Sequence, residues 1–185
     1  MYASTSCHVN NKLAATPPLT GPNGFTAIEL LVVVAIIAVL AALAGPSFTL
    51  LIERWRVRDA AESLTSSLYL ARSEAIKRGG GVTIDATGGW NTGWKLTHTQ
   101  NGVTTDVKVN AAPSRVSISH SNGKTALYVD RWGMLTEESS GGVAVAMSFL
   151  LYPEGKSQTD NAAIRLCAGM GGRIVQVPRG GTCPA

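Results

Sequence analysis

Glu29 stands alone as a charged side chain in the apolar run from Ala27 to Ala44. A solitary carboxylate in hydrocarbon costs several kcal/mol in rough terms, so it needs a partner. Hydrolysis of the Gly24–Phe25 peptide bond would create one. The new α-ammonium of Phe25 would lie four residues from Glu29, within reach of the same chain's carboxylate or a neighbouring copy's. Gly24, Phe25 and Glu29 therefore read as positions for processing and assembly. Two plainer readings compete. Ala42-Leu43-Ala44 fits a secretory cleavage site that would release a soluble protein near Gly45. The charge inside the apolar stretch, the length of that stretch and the nearly uncharged residues before it oppose this. A permanent single-span anchor fits the length but gives Glu29 no purpose.

Other residues with chemical potential are fewer. Cys7 falls in the part expected to be removed, which leaves Cys167 and Cys183. Two cysteines in an exported domain favour one disulfide, closing a tail loop worth about 3 kcal/mol in the chain-entropy model. Two free thiols are the alternative. Neither a CxxC pair nor a nearby histidine suggests a metal site. His98 and His120 fall in expected strands without a serine, cysteine or carboxylate at a readable spacing, and read as surface or hydrogen-bonded residues. Glu137-Glu138 reads as turn charge. Gly79-Gly80-Gly81 lacks the lysine and the preceding strand of a phosphate loop. Trp90, Trp94 and Trp132, near Lys95 and Arg131, could stack on bases, although packing a sheet edge against a loop is the commoner role. No enzyme motif survives, so neither catalysis nor a cofactor is expected.

The elements that must position these residues follow from pattern. The chain has 185 residues and a formal charge of +4, which falls to +3 without Lys12, the only charged residue before Glu29. That balance is mildly basic and alone does not suggest nucleic acid. Residues 1–24, with Pro17, Pro18 and Pro22, show no apolar periodicity and read as a cleaved leader. The run from Ala27 to Ala44 would form about 27 Å of helix, close to the hydrocarbon thickness of a bilayer. Pro46 is expected to bend this helix without ending it, because an apolar face resumes at Val57, Ala61, Leu64, Leu68, Ala71 and Ala75 and runs to about Arg78. Gly79-Gly80-Gly81 stops it. Only the second half of such a helix can pack on a domain; the first must enter a membrane or other subunits.

Beyond Gly81 the period becomes two. Strands are expected at Val82–Asp85, Trp94–Thr99, Thr104–Val109, Val116–Ser119, Ala126–Asp130, Val143–Leu150, Ala162–Cys167 and Arg173–Val177. Gly88-Gly89, Asn101-Gly102, Asn122-Gly123 and Gly141-Gly142 separate them, and Asn-Gly is a strong hairpin signal. A long helix followed by antiparallel strands is an α+β fold, with the sheet laid on the helix.

The run GFTAIELLVVVAIIAVLAALAGP resembles the class III signal of type IV prepilins and type II secretion pseudopilins. Gly24 matches the glycine before the cleavage point and Phe25 the residue that becomes N-methylated. Glu29 matches the glutamate that follows four residues later, and Pro46 the proline that bends the anchor helix. The stretches Arg54–Ile84, Gly88–Leu96 (GGWNTGWKL) and Tyr152–Lys156 (YPEGK) resemble FimT/FimU minor pilins and the H-type minor pseudopilin. The resemblance implies three parts: a leader over 1–24, a transmembrane or filament-core helix half over 25–53, and a periplasmic or extracellular pilin domain over 54–185. It implies a minor pilin that primes or caps a type IV pilus, or else a minor pseudopilin of type II secretion. The implied setting is the inner membrane, by a single pass, and then the filament. The implied partners are major and minor pilins, the prepilin peptidase and the inner-membrane assembly platform. Some FimT-like proteins bind DNA for transformation through a Gly-Arg-x-Arg pattern near the C terminus. Here Gly172-Arg173-Ile174-Val175 lacks the second arginine, and Arg179 precedes two glycines. Lys156, Arg165, Arg173 and Arg179 remain candidate phosphate contacts, or scattered charges on a solvated tail.

Overall fold

The computed structural model describes residues 24–139 and 142–184, apart from the side chains of residues 43–47. Residues 1–23 of the expected leader, with Cys7 and Lys12, lie outside this set. The chain divides into two units, residues 1–43 and 44–185.

Helix α1 (Ala27–Arg78) is 52 residues long. Thr26 caps it, its Oγ1 accepting the Glu29 N–H at 3.3 Å while its carbonyl accepts that of Leu30. In the first unit, consecutive residues Leu30 to Val34 are all exposed, so the apolar surface there runs around the whole helix and not along one stripe. The expected membrane segment ends among residues 43–47. Among the described residues, no helix is long and apolar enough to cross a membrane. α1 continues through Pro46, so the proline does not end it; the expected bend there falls among residues whose side chains are not described.

In the second unit α1 becomes amphipathic. Val57, Ala60, Ala61, Leu64, Ser67, Leu68, Ala71 and Ala75 are buried, following the three-and-four spacing of one helical face. The helix stops in a Schellman geometry: Gly79 takes φ 80°, and the Gly80 N–H donates to Ala75 O at 2.8 Å. That is the stop the three glycines predict.

Nine strands follow among the described residues: β1 (Val82–Asp85), β2 (Gly93–Gln100), β3 (Val103–Ala111), β4 (Val116–His120), β5 (Ala126–Val129), β6 (Leu135–Thr136), β7 (Met147–Pro153), β8 (Ile164–Ala168) and β9 (Ile174–Pro178). They form two antiparallel sheets, ordered β3-β2-β1-β5-β6 and β4-β7-β8-β9, where sequence pattern suggested one. Asn101-Gly102 forms the whole β2–β3 connection with both φ positive, the two-residue hairpin its composition demands. Two expectations need correcting. The two-residue β6 is absent from the pattern, and the strand expected at Val143–Leu150 lies at Met147–Pro153. Val145 instead donates its N–H to Leu135 O, extending the contact with β6.

One apolar core joins α1 to both sheets. It draws Val82, Ile84, Leu96 and Leu127 from the first sheet and Ile118, Phe149, Leu151 and Leu166 from the second. Trp90, on the short 3₁₀ turn Trp90–Thr92, sits between them. Its ring meets Phe149 edge-on at 4.8 Å and lies 6.3 Å from Trp94. Its Nε1–H donates to Lys124 O at 2.8 Å. Trp90 and Trp94 are thus core residues, while Trp132 is 72% exposed with the Arg131 guanidinium over its ring.

Ser67 is the polar exception on the buried helix face. Its hydroxyl donates to Ser63 O and accepts the Trp94 Nε1–H at 2.9 Å. Replacing Ser67 by Ala leaves that buried indole N–H unpaired. Urea denaturation of the 54–185 domain should therefore show a loss of about 1–3 kcal/mol.

Candidate functional site

Gly24, Phe25 and Glu29 stand together at the start of α1. Among the described residues, Gly24 has no neighbour within 4 Å of where a side chain would begin. Phe25 is 84% exposed, two residues ahead of the first helical residue. Glu29 lies in the first turn of α1, where the helix dipole favours negative charge. Among the described residues its carboxylate has no ion-pair partner within the chain. Glu29 and the Gly24–Phe25 bond thus lie within one turn of each other at the N-terminal end of an apolar helix.

The four candidate phosphate contacts are not gathered into one patch. Arg173 precedes β9 and Arg179 follows it, about 20 Å apart at the rise of a strand. Lys156, in the β7–β8 connection, pairs with Glu53 on α1 (Nζ to Oε1, 3.6 Å). Arg179 donates to Asn161 Oδ1. Arg165 sits on β8 opposite Leu150 and Val177.

The disulfide joins Cys167 to Cys183, with Cα atoms 5.5 Å apart. Cys167 is on β8, so the bond fastens the C-terminal residues across β8 and β9. Arg165, Gly181 and Pro184 share a groove with it.

Two residues hold the framework of the second unit: Arg72, which sequence reasoning passed over, and His120, which it read as a surface or hydrogen-bonded residue and which is buried. Arg72 donates from Nε to Gly133 O at 2.7 Å and from Nη1 to Gly172 O. One guanidinium therefore ties the turn before β6, in the first sheet, and the β8–β9 turn, in the second, to α1. A side chain at Gly172 would run into that guanidinium, and its φ of 76° also favours glycine. The available signal was an arginine directly beside the buried positions Leu68, Ala71 and Ala75. His120 is the second. Its ring stacks near Trp90 and Phe149, with its side chain 1% exposed. Nδ1 accepts the N–H groups of Asn122 and Lys124, so the neutral ring carries its proton on Nε2, which has no hydrogen-bond partner. Glu137 Oε1, 3.7 Å away, is already engaged by Asn122 Nδ2. Burial holds the His120 pKa below its ordinary value, against the opposing pull of Glu137.

The family model described as type II transport protein GspH matches residues 60–181, about two thirds of the chain. The chain belongs to this family of minor pseudopilins and type IV minor pilins. The fold agrees. The crystal structure of the type IV minor pilin FimU from Pseudomonas aeruginosa superposes with a TM-score of 0.55 at 23% identity, covering 68% of this chain and 91% of that one. The minor pseudopilin EpsH from the type 2 secretion system of Vibrio cholerae gives 0.50 at 15% identity, covering 69% and 99%. At such identities the likeness is one of fold. No curated protein matches the chain significantly.

Two outcomes follow for the GspH domain. Cys167→Ser with Cys183→Ser should lower its unfolding free energy by about 3 kcal/mol, read as a fall in melting temperature that matches reduction of the native chain. His120 should also make stability pH-dependent. With its folded pKa depressed, the unfolded chain takes up the proton first as pH falls. The stability contribution is therefore present above about pH 6.5 and is lost below it. Denaturation series between about pH 7 and 5.5 should show this slope in the native domain and a flatter one in His120→Gln.

Proposed function

We propose that the chain is a minor filament subunit, cut after Gly24 by a prepilin peptidase, methylated on Phe25 and inserted through α1. Its helix from Phe25 to about Leu51 rests in the inner membrane and then passes into the core of a type IV pilus or a type II secretion pseudopilus. There the subunit primes or caps assembly beside major and minor pilins on the inner-membrane platform.

The observation that supports this most is the apolar sheath of α1. Phe25, Ile28, Leu30, Leu31, Ile36, Ile37, Val39 and Leu40 are all more than half exposed, an extent of apolar surface that requires lipid or protein cover. Bilayer and filament core each supply it, so the helix can pass from one to the other with its surface covered throughout. Within such surroundings Glu29 pairs with the N-terminal ammonium of an adjacent subunit. Because an unpaired charge is costlier in hydrocarbon than in water, only the correctly staggered neighbour relieves it. The pair thereby sets axial register.

Protein sequencing and immunoblots of sheared filaments test the reading. Gly24→Val should leave the leader attached. Glu29→Ala should be processed normally, with a new N terminus at Phe25, yet enter filaments about tenfold less, the factor for a pair worth about 1.4 kcal/mol. Normal recovery of Glu29→Ala in filaments would overturn the register role, and a mature chain starting near Gly45 would overturn the filament reading.

A further inference from the structure

In the second unit, the surface of α1 changes character within one helical turn of Leu51. Phe48, Leu50 and Leu51 are exposed and line a shallow concavity that ends at Arg54. Leu51 and Arg54 also line a second, larger groove, of about 380 Å³, walled by Trp55 and Arg58 on one side and by Ala162, Ile164 and Pro178 on the other. The two meet at Leu51 and Arg54 and so adjoin as one track, apolar at Phe48 and Leu50 and basic at Arg54 and Arg58.

The arginines are poorly accommodated by the chain itself. Arg54 and Arg58 are one turn apart, and like charges at that spacing repel. Among the described residues neither has an acidic partner within ion-pair distance. Glu53, beside Arg54, pairs instead with Lys156, and Glu62, one turn beyond Arg58, makes no ion pair with it. Trp55, 67% exposed, stands between the two arginines. An apolar groove capped by two uncompensated guanidinium groups and a tryptophan matches a molecule with a hydrocarbon tail and an anionic head.

We infer that this track seats one anionic phospholipid, its phosphate between Arg54 and Arg58 and its acyl chain along Leu51, Leu50 and Phe48. The inference rests on the membrane-anchored reading above and deepens it. An apolar helix from Phe25 to Leu51 is about 40 Å long, close to the thickness of a bilayer with its headgroups. Arg54, Trp55 and Arg58 then fall at headgroup level, where tryptophan and arginine are favoured. The seated lipid holds the subunit at the bilayer surface until it is extracted into the filament.

The full chain, expressed in membranes containing phosphatidylglycerol and phosphatidylethanolamine, is first tested for release by alkaline carbonate. It is then solubilised in mild detergent and weighed with its retained lipid by native mass spectrometry. The native chain should resist carbonate and retain phosphatidylglycerol in preference. Arg54→Gln and Arg58→Gln should each weaken that preference about fivefold. Arg56→Gln, on the same turn but outside the groove, should leave it unchanged, and excess inorganic phosphate should not displace the lipid. Release by carbonate would overturn the anchored reading together with this one. Membrane retention without lipid preference, or equal loss in Arg56→Gln, would overturn the lipid site alone and leave general surface charge or a neighbouring subunit to explain the groove. Displacement by phosphate would make it an anion site without lipid.

Discussion

Val57, Ala60, Ala61, Leu64, Ser67, Leu68, Ala71 and Ala75 form the stripe of α1 on which the rest of residues 44–185 is built. Val57, Leu64 and Leu68 enter the core there, while Ala60, Ala61, Ala71 and Ala75 allow strands to approach. Neither sheet has another helix to cover its inner face among the described residues. Both close on this stripe, with Trp90 and Phe149 filling the seam between them. Ser67 and Arg72 add direction to what apolar contact leaves adjustable. One fixes the indole of Trp94, and the other fixes two turns from different sheets. A helix committed in this way over its second half can be apolar over its first apart from Glu29, because the fold of the second unit does not depend on that half.

How far the sequence revealed this depends on the range of the interactions. The end of α1 at Arg78, the Asn101-Gly102 hairpin and the positions of β1, β4 and β5 are encoded within a few residues, by glycine conformation and alternating burial. The division into two sheets is not. β1 lies between β2 and β5, and β4 pairs with β7, nearly thirty residues on; nothing in the local pattern of these strands ranks such partners. β6 escapes notice because its two residues are strand only by pairing with Tyr128 and Val129. Val143 to Ala146 look like strand by composition, yet the chain there runs past β6 instead of joining β7.

The candidate site divides along the same line. The candidacy of Gly24, Phe25 and Glu29 rests on spacing along one helix start, which sequence alone displays. Arg72 is not legible in that way, since its partners are Gly133 and Gly172, residues 61 and 100 positions away. The basic residues show the converse error. Arg173 and Arg179 are close in sequence, but an extended strand carries them to opposite ends of the sheet. Proximity along a chain indicates proximity in space only when the intervening backbone turns.

The bond between Cys167 and Cys183 makes one edge of the domain conditional. Such links persist only in oxidising surroundings, and ribosomes work in reducing ones. Without the bond, the residues after β9 lose their covalent tie to β8. The finished outline of that edge, against which any neighbour must fit, therefore exists only where the redox poise favours the bond.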